Sequence, residues 1–416
     1  MSGSPPALSP SPLTLAILNT AAASLVGSVQ ACAEKGEFEP LIRGVARAVE
    51  VVGVLVDRVQ LPLARTSGFR HPVYNGILAT WQRGSGVNVR LRRHAESAPH
   101  QDVDLRELLS NTPYYALVFG GQDSVREDLT APSRVLSIYA ELAEQGYVDY
   151  LAVGLPLPDG RIQLLSLAAR TPMPADAAER MFALRPTLAL AIYGAYSASA
   201  ARQVATTYIG QNSGLAVLSG DIVRGETRSL EAGILFADLR GFTRMTQTIG
   251  AAETVAVLNA VFEVVGAVVE AHGGEILKFI GDAMLAIFPI TEARDRTMVA
   301  DALVSVAMQG TARVAALPQD SRLLGIGFGG HIGRVLLGNI GTTSRLDFTV
   351  IGPAVNLASR LERLCSTLSV SAVFSEAVAA EVPLELLEKR KVKGVDEPVE
   401  IFGHPSVEPQ RSPTGT

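Results

Sequence analysis

Apolar residues recur at helical steps from Leu13 to Val29 and again from Phe38 to Val56, which predicts helices at the start of the chain. Residues 147–156 and 161–169 read instead as two strands on either side of Pro158-Asp159-Gly160, an antiparallel hairpin. Residues 176–208 return to the helical period as one long helix, with Pro186 as its kink point. Residues 211–230 contain three glycines and several charges and read as a connector. A second patterned region opens near Glu231. Its first element is the strand-forming run at 233–239, and a helix follows over 251–272, on Val255, Leu258, Phe262, Val265 and Val269. Gly273-Gly274 ends that helix, and residues 275–288 read as a hairpin with Gly281-Asp282 at its tip. Next come a helix over 293–316, a Gly-rich strand pair over 324–339 and a strand over 348–351. A helix then opens on Pro353, at a first-turn position that proline tolerates.

The pattern therefore predicts two α+β domains, at 13–200 and 231–403, joined by a helical linker over 201–230. Loose polar tails are expected at 1–12 and 404–416. With 48% hydrophobic and 19% charged residues, the chain has ample material for packed cores. Its 36 basic and 41 acidic residues give a net charge of −5, which argues against gripping nucleic acid or an anionic membrane. No Lys or Arg precedes Lys35, so the first apolar segment reads as an amphipathic or buried helix rather than a signal peptide. No run reaches the roughly 18 uninterrupted apolar residues of a membrane span. Cys32 and Cys365 stand far apart and form neither a disulfide framework nor a metal cluster. A cytoplasmic protein without membrane insertion is expected.

Candidate chemistry concentrates in the second region. Asp238 closes a buried strand and leads into Leu239, Arg240, Gly241, Phe242 and Thr243, a turn that offers backbone N–H groups to an anion. Taken alone, Asp238 reads better as a helix cap, and Gly281-Asp282 reads readily as a plain turn dipeptide. Lys278 interrupts an apolar strand where an unpaired ammonium is costly, so a ligand or a carboxylate partner is expected beside it. Asn356 and Arg360 lie four residues apart on one helix face, among Val355, Leu357, Ala358 and Leu361.

Five segments in order resemble the catalytic domain of class III nucleotidyl cyclases: FADLRGFT at 236–243, GGEILKFIGDAML at 273–285, HIGRVLLGNIG at 331–341, DFTVIGPAVNLASRLE at 347–362 and KGVDEPVEIFG at 393–403. The resemblance covers 231–403 and implies a ferredoxin-like α+β fold. It implies that Asp238 and Asp282, with Leu239, hold two Mg²⁺ or Mn²⁺ ions. Lys278 and Thr349 would read the purine, Asn356 position the ribose and Arg360 stabilise charge on the reacting phosphate. Gly241, Phe242, Thr243 and Lys393 would contact the substrate. The implied reaction converts ATP to 3′,5′-cyclic AMP and pyrophosphate. In the family two catalytic domains share each site, and this one carries all six central residues, so a homodimer is implied.

Lys278 and Thr349 suit adenine, because Lys278 can donate to N1 and the Thr349 hydroxyl can accept from the amino group. Guanine would turn an N–H toward Lys278. A guanylate cyclase is the alternative, as is a nucleotide-binding pseudo-cyclase that acts as a signalling module. Many relatives carry an Arg where Gly327 stands here, with Arg322 or Lys393 as the candidates to replace it, and Asp-Thr where Pro353-Ala354 stands.

The order of helix, strands and long exit helix over 13–200 resembles a GAF- or PAS-like sensor, which implies a small-molecule or protein signal. Trp81, His71, His94 and His100 are the residues there with ligand-binding chemistry, although no metal-ligand spacing is visible.

Overall fold

The computed structural model describes residues 12–35, 37–64, 76–91, 105–133, 136–220, 225, 227–317, 325–391 and 397–404. His71, His94, His100, Arg322, Lys393 and almost all of both tails lie outside the described residues. The chain divides into two compact units, Met1–Val204 and Ala205–Thr416.

The first unit contains α1 (Pro12–Lys35), α2 (Glu39–Val51), β1 (Arg58–Ala64), β2 (Gly76–Gln82), β3 (Gly86–Leu91), α3 (Leu105–Leu109), α4 (Tyr114–Val118), β4 (Ser124–Asp128), α5 (Ser137–Glu144), β5 (Asp149–Pro156), β6 (Ile162–Ala169) and most of α6 (Ala177–Ile209). Its antiparallel sheet has the order β3-β2-β1-β6-β5-β4. On one face Leu25, Leu41, Val45, Leu184, Leu188 and Ile192 of α1, α2 and α6 form the core with Leu61, Leu151, Val153 and Leu165. On the other, Leu117, Tyr139 and Leu142 pack against Tyr150 and Leu164. Core on both faces explains why β5 reads as a continuous apolar run. The one acid in that strand, buried Asp149, is held by Arg126 Nη2 at 2.8 Å. Trp81 is half-buried against the first core with Arg83 over its ring, a packing role.

The second unit contains α7 (Gln211–Leu218), β7 (Thr227–Leu239), α8 (Phe242–Thr246), α9 (Ala251–Ala271), β8 (Glu275–Ile280), β9 (Ala283–Pro289), α10 (Arg296–Ala315), β10 (Ile326–Gly341), β11 (Leu346–Ile351), α11 (Pro353–Leu368), β12 (Ala372–Ser375), α12 (Glu376–Ala379), β13 (Glu385–Arg390) and β14 (Val399–Gly403). The eight-stranded sheet runs β13-β14-β12-β10-β7-β9-β8, with β11 also on β10. Along β7, Leu235, Ala237 and Leu239 face α9 and α10, whereas Ala232 and Ile234 face α11.

Two expectations are corrected. The strand pair expected over 324–339 is not formed: Leu324 lies outside the described residues, and residues 326–339 lie in the single 16-residue strand β10, which pairs with β7 from Ile326↔Leu239 to Gly338↔Thr227. Its glycines serve close packing rather than turns: a Cβ on Gly329 would fall 2.2 Å from the Glu362 nitrogen of α11. The stretch 211–230 is not a plain connector either, since it holds α7 and the start of β7. Two helices, α1 over Leu15–Cys32 and α9, are long and apolar enough to cross a membrane by length and composition, a property that counting uninterrupted apolar runs overlooks. Cys32 and Cys365 are both buried and free.

Candidate active site

Asp238 follows the alternation of Ala232, Ile234 and Phe236, so it projects from the α11 face at the end of β7. The register pairs Asp238 with Ala283, the residue after Asp282. Gly281-Asp282 is a two-residue hairpin turn between β8 and β9, and Gly281 takes its left-handed conformation (φ +67°). The two carboxylates therefore lie side by side, within hydrogen-bonding reach of each other. Asp238 does not cap α8, because Gly241, at φ +75°, occupies that position. Leu239 is buried, so only its backbone can serve a ligand. Phe242 packs on the core and Thr243 is exposed.

A third acid joins the pair. Glu362 of α11 reaches over Gly327, which sits directly across from Asp238 in the β7–β10 ladder. A Cβ at Gly327 would lie 3.0 Å from Glu362 Oε1 and 3.2 Å from Cys365 Cβ. Gly327, where the family resemblance leads one to expect an arginine, is thus covered by Glu362 and Cys365 of α11. Glu362 is not evident from the sequence motifs; its one signal is a carboxylate on the apolar side of an amphipathic helix.

Burial, then the charge of Asp282, pushes Asp238 from its ordinary 3.8 up to about 6. Burial, then the charge of Asp238, pushes Glu362 from 4.5 up to about 7. Both groups hold protons to higher pH in the folded chain than in the unfolded one. Their stabilising contribution is complete below the ordinary carboxylate range and is lost as pH rises through about 6 and about 7. Cations that bind these carboxylates compete with the protons. Thermal unfolding in chelator should therefore show stability falling between pH 5 and pH 8, by less in Glu362→Gln. Stabilisation by added Mn²⁺ should grow over that range. A Mn²⁺ effect independent of pH would contradict this.

Lys278 reaches the same sheet face as Asp238 through a β-bulge. The β8–β9 register shifts between Ile276 and Lys278, so Lys278 pairs with Leu285 on the α11 face, while Ile276 packs toward α9. The strand is less buried than its apolar pattern predicts. The expected carboxylate partner is Asp347 of β11, whose Oδ2 accepts from Lys278 Nζ at 2.6 Å. Thr349, two residues further along the same strand, is buried. Asp347 does not stand out in the sequence as that partner. Its only signal was alternation, which puts it on the same side of the strand as Thr349. A groove of about 1480 Å³ opens here, lined by Lys278, Asp347 and Phe348 among others, but not by Thr349, Asp238, Asp282, Asn356 or Arg360.

Asn356 is exposed and Arg360 half-buried on α11, one turn apart. Neither side chain makes a hydrogen bond or ion pair with a described residue. A half-buried guanidinium without an internal partner is suited to an external anion.

The acidic pair also fits divalent ions. Asp238 Oδ1 is buried and receives no hydrogen bond. Among the described residues no cluster of three or more ligating side chains forms a full cage. Mg²⁺ is commonly held in that way, by one or two carboxylates completed by water and substrate phosphates.

Residues 226–399 match the family model of the adenylate and guanylate cyclase catalytic domain. This segment is a class III cyclase catalytic domain. An adenylate cyclase of Anabaena cylindrica is 35% identical over 183 residues, 41% of this chain and 36% of that protein. Adenylate cyclase 1 of Rhizobium meliloti (strain 1021) is 30% identical over 183 residues, 41% of this chain and 27% of that protein. The match thus spans between about a quarter and about a third of these relatives' length. A solved structure of the adenylyl cyclase CyaB from P. aeruginosa is 27% identical, with a TM-score of 0.39, covering 46% of this chain and 100% of that one.

Proposed function

We propose that the protein is an adenylate cyclase that converts ATP to 3′,5′-cyclic AMP and pyrophosphate. The reading rests above all on Lys278, held by Asp347 with its remaining protons available to a purine. In the reaction the ribose 3′-oxygen forms a bond to the α-phosphorus, the bond to the β-phosphate bridge oxygen breaks, and the hydroxyl proton passes to solvent. Asp238 and Asp282, with the Leu239 carbonyl, would hold two Mg²⁺ or Mn²⁺ ions. Bound there, the ions acidify the hydroxyl and neutralise the leaving pyrophosphate.

The chain's own residues supply the rest. Lys278 donates to adenine N1, and the Thr349 hydroxyl accepts from the amino group, with Asp347 as a second acceptor beside it. Asn356 orients the ribose. Arg360 meets the charge that grows on the α-phosphate, where a rigid, permanently charged fork is most effective. The turn over Gly241, Phe242 and Thr243 faces the phosphates, and Lys393 is assigned to the substrate with them.

The acidic pair and the Lys278 groove do not share a lining within one chain, which favours a homodimer with two shared sites. The first unit would act as the regulator and take a small-molecule or protein signal. Turnover of ATP and of GTP with Mg²⁺ and with Mn²⁺ tests the reading, with the cyclic products separated. Cyclic AMP from ATP is expected. Cyclic GMP as the main product would instead identify a guanylate cyclase. No cyclic product from the full chain or from residues 201–416 would identify a pseudo-cyclase, whereas product from the shorter chain alone would identify autoinhibition.

A further inference from the structure

The end of α6 and the start of α7 meet in a corner closed from outside by one carboxylate. Only Gly210 separates the two helices, and its φ of +102° is one that L side chains rarely adopt. A Cβ there would also fall 2.9 Å from Glu275 Oε1. One turn on, a Cβ at Gly214 would lie 2.6 Å from the Ala205 carbonyl, so the helices touch backbone to backbone. No α7 side chain caps its first turn. Glu275, the first residue of β8, does so instead. Its Oε1 accepts from the Asn212 amide at 3.0 Å and from the Ser213 amide and hydroxyl at 3.1 Å each, and its Oε2 accepts from Asn212 Nδ2 at 3.0 Å. Open N–H groups and the positive end of the helix dipole both favour a carboxylate at this point.

Two further observations tie this contact to the nucleotide groove. Residues of the corner, Tyr208 and Gly210 among them, line the same groove as Lys278 and Asp347. The bulge that re-aims Lys278 lies between Ile276 and Lys278, directly after Glu275 and Ile276 have paired with Ile287 and Ala286 of β9. The start of β8 is therefore held twice, by its pairing with β9 and by the bonds of Glu275 to Asn212 and Ser213.

We propose that Glu275 is a latch: it fixes the α6–α7 corner as one wall of the nucleotide groove and positions the strand that carries Lys278. The proposal rests on the cyclase reading for the identity of the ligand. Since α6 begins in the first unit, a signal that releases the latch would weaken nucleotide binding without altering any group that touches the substrate.

The test compares the full-length chain with its Glu275→Ala and Glu275→Gln variants. Amide exchange is followed over residues 205–218, with α10 as the control for folding. Binding of 3′-deoxy-ATP with Mn²⁺, which cannot cyclise, is measured by calorimetry. In Glu275→Ala, exchange at 211–218 should quicken about tenfold and Kd should rise by about three- to tenfold, with turnover at saturating ATP nearly unchanged. Glu275→Gln keeps one acceptor oxygen and should fall between. Should α10 lose protection in Glu275→Ala, Asn212→Ala probes the same contact from its exposed side, with the same direction expected. Unchanged exchange would overturn the latch. Faster exchange with unchanged Kd would overturn its coupling to the groove, and no 3′-deoxy-ATP binding by the wild-type chain would overturn the latch and the cyclase reading together. A chain that shifts in Kd but makes no cyclic nucleotide keeps the latch and loses the cyclase reading.

Discussion

Asp238→Ala and Arg360→Ala chains, each assayed alone, are expected to lose cyclase turnover by on the order of 10³-fold, and a mixture of the two is expected to regain it. The first variant removes the carboxylate beside Asp282 whose buried Oδ1 receives no hydrogen bond. The second removes a guanidinium that no described side chain engages. If each site takes its carboxylates from one chain and its Arg from the other, a mixed dimer has one complete site and one doubly damaged site. Free exchange makes half the dimers mixed, so recovery should approach about a quarter of wild-type activity. Turnover measured against mixing ratio checks this. A mixture as inactive as its components would mean that each site is built within one chain.

Gly329→Ala should unfold the second unit at a markedly lower temperature and disable the site as well. Its Cβ would fall 2.2 Å from the Glu362 nitrogen and 2.4 Å from the Ala358 carbonyl oxygen. Both are backbone atoms of α11, which no rotamer change can move aside. The helix must lift from β10, at a cost of about 3 kcal/mol or more, or roughly 5–10 °C in Tm for a unit of this size. Asn356 and Arg360 lie on the same turns of α11, so lifting the helix displaces them. Differential scanning calorimetry with ATP turnover on the surviving folded fraction checks both parts. A Tm within about 1 °C of wild type would show that β10 and α11 do not pack as tightly as the geometry requires.

The placement of most site residues was legible in the sequence, because it depends on local rules. A strand-forming run ending in Asp238, a Gly-Asp tip between two apolar runs and a proline-started helix with Asn356 and Arg360 one turn apart are set by periods of two and 3.6 and by turn chemistry. These features needed no knowledge of what packs against what, and the two-strand hairpin in the first unit was legible for the same reason.

Lys278 shows where such reading stops. Strict alternation would send it to the face of Ile276, toward α9. The bulge, set by pairing with β9, turns it to the face of Asp238. Asp347 meets Lys278 across 69 positions of sequence, and Glu275 meets Asn212 across 63. Neither contact leaves a periodic trace. The glycines of β10 read as turn punctuation, yet they mark the line along which α11 lies against the strand. Local spacing was enough to decide which side chains could do chemistry and on which elements they stand. Which of them face each other was decided by strand register and helix-on-sheet packing, because those depend on partners distant in sequence whose pairing no local pattern encodes.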